Sequence, residues 1–175
     1  CGGFSNSDVL GSAKGWAAGI LYNEQAKATI DRFYARPDTL SLGICNGCQL
    51  MAELGLLYPE HEQKHRMEHN DSHKFESAFV SLTIPENSSV MLGNLSGTTL
   101  GVWVAHGEGK FALPYEQDRY HVIARYAYDA YPANPNGSPS GIAGLCGADG
   151  RHLALMPHPE RAIFPWQCAY YPDAL

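Results

Sequence analysis

The residues best suited to chemistry are Gly43-Ile44-Cys45-Asn46-Gly47, a GxCxG pattern that is the thiol counterpart of the GxSxG nucleophile elbow. Leu40 to Ile44 reads as a short strand and Gly47 to Leu57 as the helix after it, which puts Cys45 on a sharp turn between them. Such a turn forces strained backbone angles on its central residue, and small residues on either side let the neighbouring backbone approach. The expected result is an exposed thiol at a helix N-terminus, where free N–H groups and the helix dipole favour a thiolate. The Asn46 N–H would be placed to donate to a developing oxyanion. Two other readings stay open on the elbow alone. Cys45 could be a small buried hydrophobe, or it could pair with Cys48 as a CxxC redox or half-zinc site, although no second CxxC supplies the remaining ligands.

A cysteine nucleophile needs a base, and a third group to orient that base. Of the eight histidines, His158 stands out within Met156-Pro157-His158-Pro159-Glu160-Arg161. Two prolines fix the backbone around it, and the two-residue spacing puts Glu160 on the same side of an extended segment. The alternative is a surface turn with an incidental histidine. A second histidine pattern competes for notice: His61-Glu62-Gln63-Lys64-His65 is a literal HExxH, continued by His69 and His73 at steps of four. On a helix these imidazoles would form a zinc-binding stripe with Glu62 as a base. A catalytic helix of that kind must be buried, yet Met67 is the only large apolar residue between positions 60 and 74. A solvated loop or exposed helix is expected there, and no metal site.

The elements that must position these groups come from a chain of 175 residues, 45% hydrophobic and 17% charged, the size of one domain with its own core. Its net charge of −6 gives no electrostatic reason to expect nucleic acid or an anionic membrane as partner. No apolar stretch approaches the length of a bilayer span. Five sparse cysteines favour reduced thiols and a cytoplasmic location. The N-terminus has neither an initiator Met nor a signal peptide and reads as an internal cut. Residues 16 to 34 carry helical spacing, with Ile20, Ala26, Ile30 and Phe33 near one face. Short strands are expected at 75–82, 100–105, 122–128, 142–146 and 152–156, the last two joined by a tight turn at Gly147-Ala148-Asp149-Gly150. His121, His152 and the three tryptophans read as packing or surface residues.

Seven blocks occur in order: Cys1-Gly-Gly-Phe-Ser5, Asp8-Val-Leu-Gly11, Lys14-Gly-Trp-Ala17, Gly43-Ile-Cys-Asn-Gly-Cys-Gln49, His106-Gly-Glu-Gly109, Asn134-Pro-Asn-Gly-Ser138 and Met156-Pro-His-Pro-Glu-Arg161. Together they resemble the class I (triad) glutamine amidotransferase domain of the phosphoribosylformylglycinamidine synthases, most like the long fused form. The resemblance implies an α/β fold: a three-layer, flavodoxin-like domain with a mixed, mainly parallel sheet whose first βα unit is missing. It implies that 1–175 is a glutaminase domain and a C-terminal piece of a longer chain. It also implies that Cys45 is the nucleophile, His158 the acid/base and Glu160 its orienting carboxylate, with oxyanion-hole N–H groups from Gly3 and Asn46. Gln49 would bind glutamine, the small-molecule substrate, and the backbone around His106, Gly107 and Glu108 would meet its α-amino and carboxylate end. The domain itself would hold no cofactor; ATP and Mg would belong to a partner synthetase domain. One departure stands out, Asn6-Ser7-Asp8 where the family usually has Tyr-Gly-Asp, and it touches the loop next to the oxyanion hole.

Overall fold

The computed structural model describes residues 4–171. After a 3-10 turn at Ser5–Asp8 come two helices, α1 (Lys14–Leu21) and α2 (Glu24–Ala35), in place of the single helix expected over 16–34. The break is at Asn23, which is extended and whose side chain accepts the Ala26 N–H at 3.0 Å, so it caps a new helix. Hydrophobic spacing continues across that junction and conceals it.

Strand β1 (Ser41–Ile44) leads into α3 (Asn46–Leu54), followed by β2 (Arg66–Glu68), β3 (Glu76–Thr83), β4 (Thr99–His106), β5 (Lys110–Ala112), β6 (His121–Tyr126), β7 (Ile142–Cys146) and β8 (His152–Leu155). Six strands form one sheet in the order β1-β8-β7-β6-β3-β4, and β2 pairs with β5 as a separate ribbon. The α/β architecture with a mixed sheet is the one expected. Its parallel pair is β1 with β8, and the remaining pairings in the described sheet are antiparallel, a larger antiparallel share than the resemblance implied. Parallel pairing needs a long crossover. Between β1 and β8 the chain runs through α3 and the strands β2 to β7, ample for such a crossover, whereas β7 and β8 meet through the expected Gly147–Gly150 turn.

Side chains alternate between two core clusters. On β8, Leu153 and Leu155 join Val80, Val104 and Tyr126, while Ala154 between them joins Ile44, Met51 and Ile142 under α3. Helix α3 lies close against β1 because of Gly43, where a Cβ would come within 2.5 Å of Met51 Sδ and 2.6 Å of the Gly47 carbonyl. That close approach is what folds the chain back sharply at Cys45.

The segment 60–74 departs from its expectation. It is neither exposed throughout nor helical: β2 runs through it, His65 is buried against Tyr58 and Phe111, and Asn70 is buried as well. The HExxH spacing therefore builds no imidazole stripe, and no cluster able to hold a metal ion occurs among the described residues.

Burial pushes both His65 and His106 down to about 4. An unfolded histidine titrates near 6.5, so between pH 6.5 and 4 the unfolded chain takes up protons that the native chain refuses, and stability falls as pH falls. At pH 5 each histidine is expected to cost about 2 kcal/mol relative to pH 7. Urea midpoints at the two pH values check this; His65→Leu is expected to remove about half of the pH dependence contributed by the pair.

Candidate active site

Cys45 has φ 53° and ψ −106°, a left-handed backbone that an L residue adopts only when its surroundings hold it, at a cost of about 1–3 kcal/mol. The hold is visible. The Cys45 N–H donates to the Leu155 carbonyl at 2.8 Å, and its own carbonyl accepts from the Gln49 N–H at 3.0 Å, which pins the turn between β8 and α3.

The side chain differs from expectation. The thiol is buried, not exposed, and Sγ donates to the Ala105 carbonyl at 3.6 Å. Burial pushes its pKa up to about 11, against the lowering effects of the Asn46 N–H and Arg161, while Glu160 and Asp8 add to the rise. A helix terminus contributes only about 0.3–1 kcal/mol, too little to keep ionised a thiol that has been desolvated to this degree. The resting sulfur is a protonated thiol.

His158 lies beyond the end of β8, and β8 is parallel to β1, so the histidine and Cys45 emerge at the same edge of the sheet. The His158 N–H donates to the Trp103 carbonyl on β4 at 2.8 Å, and its Nδ1 lies 2.6 Å from Glu160 Oε1. Glu160 reaches it from a 3-10 turn, Pro159–Arg161, and not along an extended segment. The contact anticipated from the spacing forms through a different backbone shape. His158 is 1% exposed, and its Nε2 has no hydrogen-bond partner among the described residues. No hydrogen bond joins Cys45 to His158 among the described residues.

Of the two N–H groups assigned to an oxyanion hole, Asn46 opens α3 beside the sulfur. Gly3 lies outside the described residues. Next to the sulfur is a cavity of about 250 Å³ whose lining includes Asp8, Asn46, Gln49, Phe75 and Glu108. A chain of polar contacts runs along it. Asn46 Nδ2 donates to Asp8 Oδ1 at 2.9 Å and to Gln49 Oε1 at 2.8 Å, and Gln49 Nε2 donates to the Glu108 carbonyl at 2.8 Å. Gln49 thus has both ends of its amide engaged and braces the loop that carries Glu108. The Glu108 carboxylate accepts the Ser12 N–H at 2.8 Å and has His69 Nε2 at 3.6 Å. Gly11 makes that approach possible: φ is +71° and a Cβ would sit 2.9 Å from Glu108 Oε1. His106 is buried, with its ring against Gly109 and its Nε2 3.5 Å from the Tyr126 hydroxyl.

Several residues that hold this arrangement drew no attention as chemistry in the sequence. Asn70 donates from Nδ2 to the His106 carbonyl at 2.8 Å, accepts the Gly109 N–H at 3.0 Å, and donates its own N–H to the Gly107 carbonyl at 2.9 Å, clamping the loop from three sides. Asn136 supports the same loop through the Gly109 carbonyl at 2.7 Å. Trp103, beyond holding His158, donates its indole N–H to the Gln167 carbonyl at 2.6 Å. Ser7 keeps a left-handed φ of 55°, at a cost of about 1–2 kcal/mol that glycine would avoid. Asp8 follows it at φ 48°.

Residues 1–174 match the family of CobB/CobQ-like glutamine amidotransferase domains. A probable phosphoribosylformylglycinamidine synthase, chloroplastic/mitochondrial, of Arabidopsis thaliana is 50% identical over 191 residues, covering 99% of this chain and 14% of that protein. The Homo sapiens phosphoribosylformylglycinamidine synthase is 45% identical over 197 residues, covering 98% of this chain and 15% of that protein. The chain therefore spans only 14–15% of the length of these curated relatives. Among solved structures, PurLQS from Thermotoga maritima superposes with a TM-score of 0.72 at 33% identity, covering 95% of this chain and 69% of that one. A glutamine amidotransferase from the same organism, 18% identical with a TM-score of 0.55 over 91% of this chain and 54% of its own, shares the fold.

Proposed function

The chain belongs to the family of CobB/CobQ-like glutamine amidotransferase domains, and from that premise we propose that it hydrolyses glutamine and supplies the ammonia for ATP-dependent conversion of phosphoribosylformylglycinamide to phosphoribosylformylglycinamidine in purine biosynthesis. The observation that carries the reading is the buried His158, with Nδ1 2.6 Å from Glu160, at the same end of the sheet as the strained Cys45, which itself lines a cavity of about 250 Å³. The activity of the whole enzyme is suggested by the names of the long relatives.

In the proposed reaction His158 Nε2 takes the thiol proton, and the sulfur attacks the side-chain amide carbon of glutamine. The oxyanion that forms is met by the Asn46 N–H. As the C–N bond breaks, His158 returns its proton to the departing ammonia and a γ-glutamyl thioester remains. Water, deprotonated by the same histidine, attacks the thioester carbon. The C–S bond then breaks, giving glutamate and restoring the thiol. Glu160 holds the ring through Nδ1 and stabilises it while it is charged. ATP and Mg would be held by the synthetase part of the longer protein, which would also be the partner that receives the ammonia.

The protonated thiol on the Ala105 carbonyl and the unpartnered His158 Nε2 describe a resting state in which nucleophile and base are not yet joined. This favours a low glutaminase rate until the synthetase part is loaded. The test is peptide-level mass spectrometry of the full-length protein after exposure to a diazo-ketone analogue of glutamine. Selective labelling of Cys45 that free glutamine suppresses, and that accelerates when synthetase substrates are present, is expected. Labelling indifferent to glutamine would point to a different cysteine hydrolase, and labelling indifferent to the synthetase substrates would sink the resting-state reading.

A further inference from the structure

We infer that Asp8 is the residue that selects the α-ammonium group of the substrate, an assignment that rests on the glutaminase reading above. Glutamine brings three polar groups to the cavity: the side-chain amide, the α-carboxylate and the α-ammonium. The reacting amide has to meet Cys45, so the amino-acid head must lie along the remaining wall. Among the described residues that line the cavity there are two carboxylates, Asp8 and Glu108, and no lysine or arginine. Such a wall attracts a cation.

The two carboxylates are not equally available. Glu108 is held by a single hydrogen bond, from the Ser12 N–H to Oε2 at 2.8 Å, and its Oε1 lies against Gly11 with His69 Nε2 at 3.6 Å. Asp8 takes both of its donors on one oxygen: the Ala13 N–H and Asn46 Nδ2 each lie 2.9 Å from Oδ1. Its Oδ2 makes no hydrogen bond among the described residues. The carboxylate is thus held from two separate elements, the loop before α1 and the first turn of α3, and keeps one oxygen for a ligand. Preorganisation of this kind makes a charged contact selective, because the anchoring bonds need not be rebuilt when the ligand arrives.

A second consequence ties Asp8 to the chemistry. Its charge is among the groups that oppose ionisation of Cys45. An ammonium bound to Asp8 offsets that charge, so the contact that anchors the substrate also eases formation of the thiolate. An amide lacking the α-amino group would forgo both effects.

The experiment compares glutamine with glutaramate, the same amide without the α-amino group, as substrates of the full-length protein. The wild type is expected to favour glutamine by about 100-fold or more in kcat/KM, in line with a desolvated charge-assisted contact. Asp8→Asn keeps an oxygen for the Ala13 and Asn46 donors but puts an NH2 where the free oxygen was, a donor facing a donor. It is expected to shrink the glutamine-to-glutaramate ratio by about 30- to 100-fold, mainly through the KM for glutamine. Asp8→Glu, which keeps the charge, is expected to recover part of the ratio. Equal losses on both substrates would reduce Asp8 to a structural role and overturn the assignment, as would an unchanged ratio in Asp8→Asn. The wild-type comparison needs no variant to fold. Similar kcat/KM for both amides would overturn the assignment to Asp8 alone, whereas turnover of neither would remove the glutaminase reading and this assignment with it.

Discussion

Replacing Cys45 with alanine is expected to lower glutamine-dependent synthesis by the full-length protein by about four orders of magnitude or more, while synthesis from added ammonia persists. The size of the effect follows from the role. Without the sulfur no thioester can form, and among the described residues no other cysteine lines the cavity: Cys48 is fully buried one turn into α3, Cys146 is buried on β7, and Cys168 lies beyond the His158–Glu160 turn. Folding should survive the substitution, because the constraints on the elbow are backbone bonds to Leu155 and Gln49 that alanine can make equally well. Alanine also tolerates the left-handed φ no worse than cysteine does. Initial rates with glutamine and with ammonium chloride, measured on the same preparation, check the prediction. Loss of both activities would contradict the division of labour between this chain and a synthetase part.

How far this site could be read from the sequence depended on how local each signal was. The elbow was legible because its cause is local. Glycine at positions 43 and 47 is a direct record of how closely α3 must approach β1, and the short apolar run before it marks the strand. The His158–Glu160 contact was legible as a spacing even though the backbone delivering it is a 3-10 turn. Burial was not legible in the same way. Nothing within ten residues of Cys45 shows that the Ala105 carbonyl on β4 will close over the sulfur, so the helix terminus alone suggests an ionised thiol, whereas burial pushes its pKa up to about 11. The same blindness applied to the polar supports. Asn70 and Asn136 are ordinary turn residues by type, and only the pairing of β2 with β5 and the return of the 134–138 loop bring their amides onto Gly109. His65 shows the converse. It sat in a pattern with a known chemical meaning, yet the chain around it is not helical and the ring serves as core.

Removing His158 and removing Glu160 are expected to differ, and their exposure says by how much. His158 is buried, and its unpartnered Nε2 is the only base assigned to both halves of the reaction. His158→Ala is therefore expected to lower kcat for glutamine by about 10⁴-fold or more, close to the effect of losing the sulfur, since nucleophile and base act as one unit. The Glu160 side chain is 48% exposed and shares its Oε1 with Arg161 Nε at 3.7 Å. Water can therefore take over part of its work of stabilising a charged imidazole. Glu160→Gln keeps an oxygen for the Nδ1 proton and so preserves the orientation of the ring, leaving mainly the lost charge to be felt. A fall in kcat of about 10²-fold is expected, smaller than the roughly 10⁴-fold cost of neutralising a fully buried partner in a serine triad. Steady-state rates of both variants with glutamine check this. A Glu160→Gln enzyme as slow as His158→Ala would mean that the carboxylate charge cannot be shared by water at all, and one at the wild-type rate would mean that Glu160 has no part in holding the base. The intermediate rate follows from a carboxylate that orients a buried imidazole through Nδ1 while solvent reaches its other side.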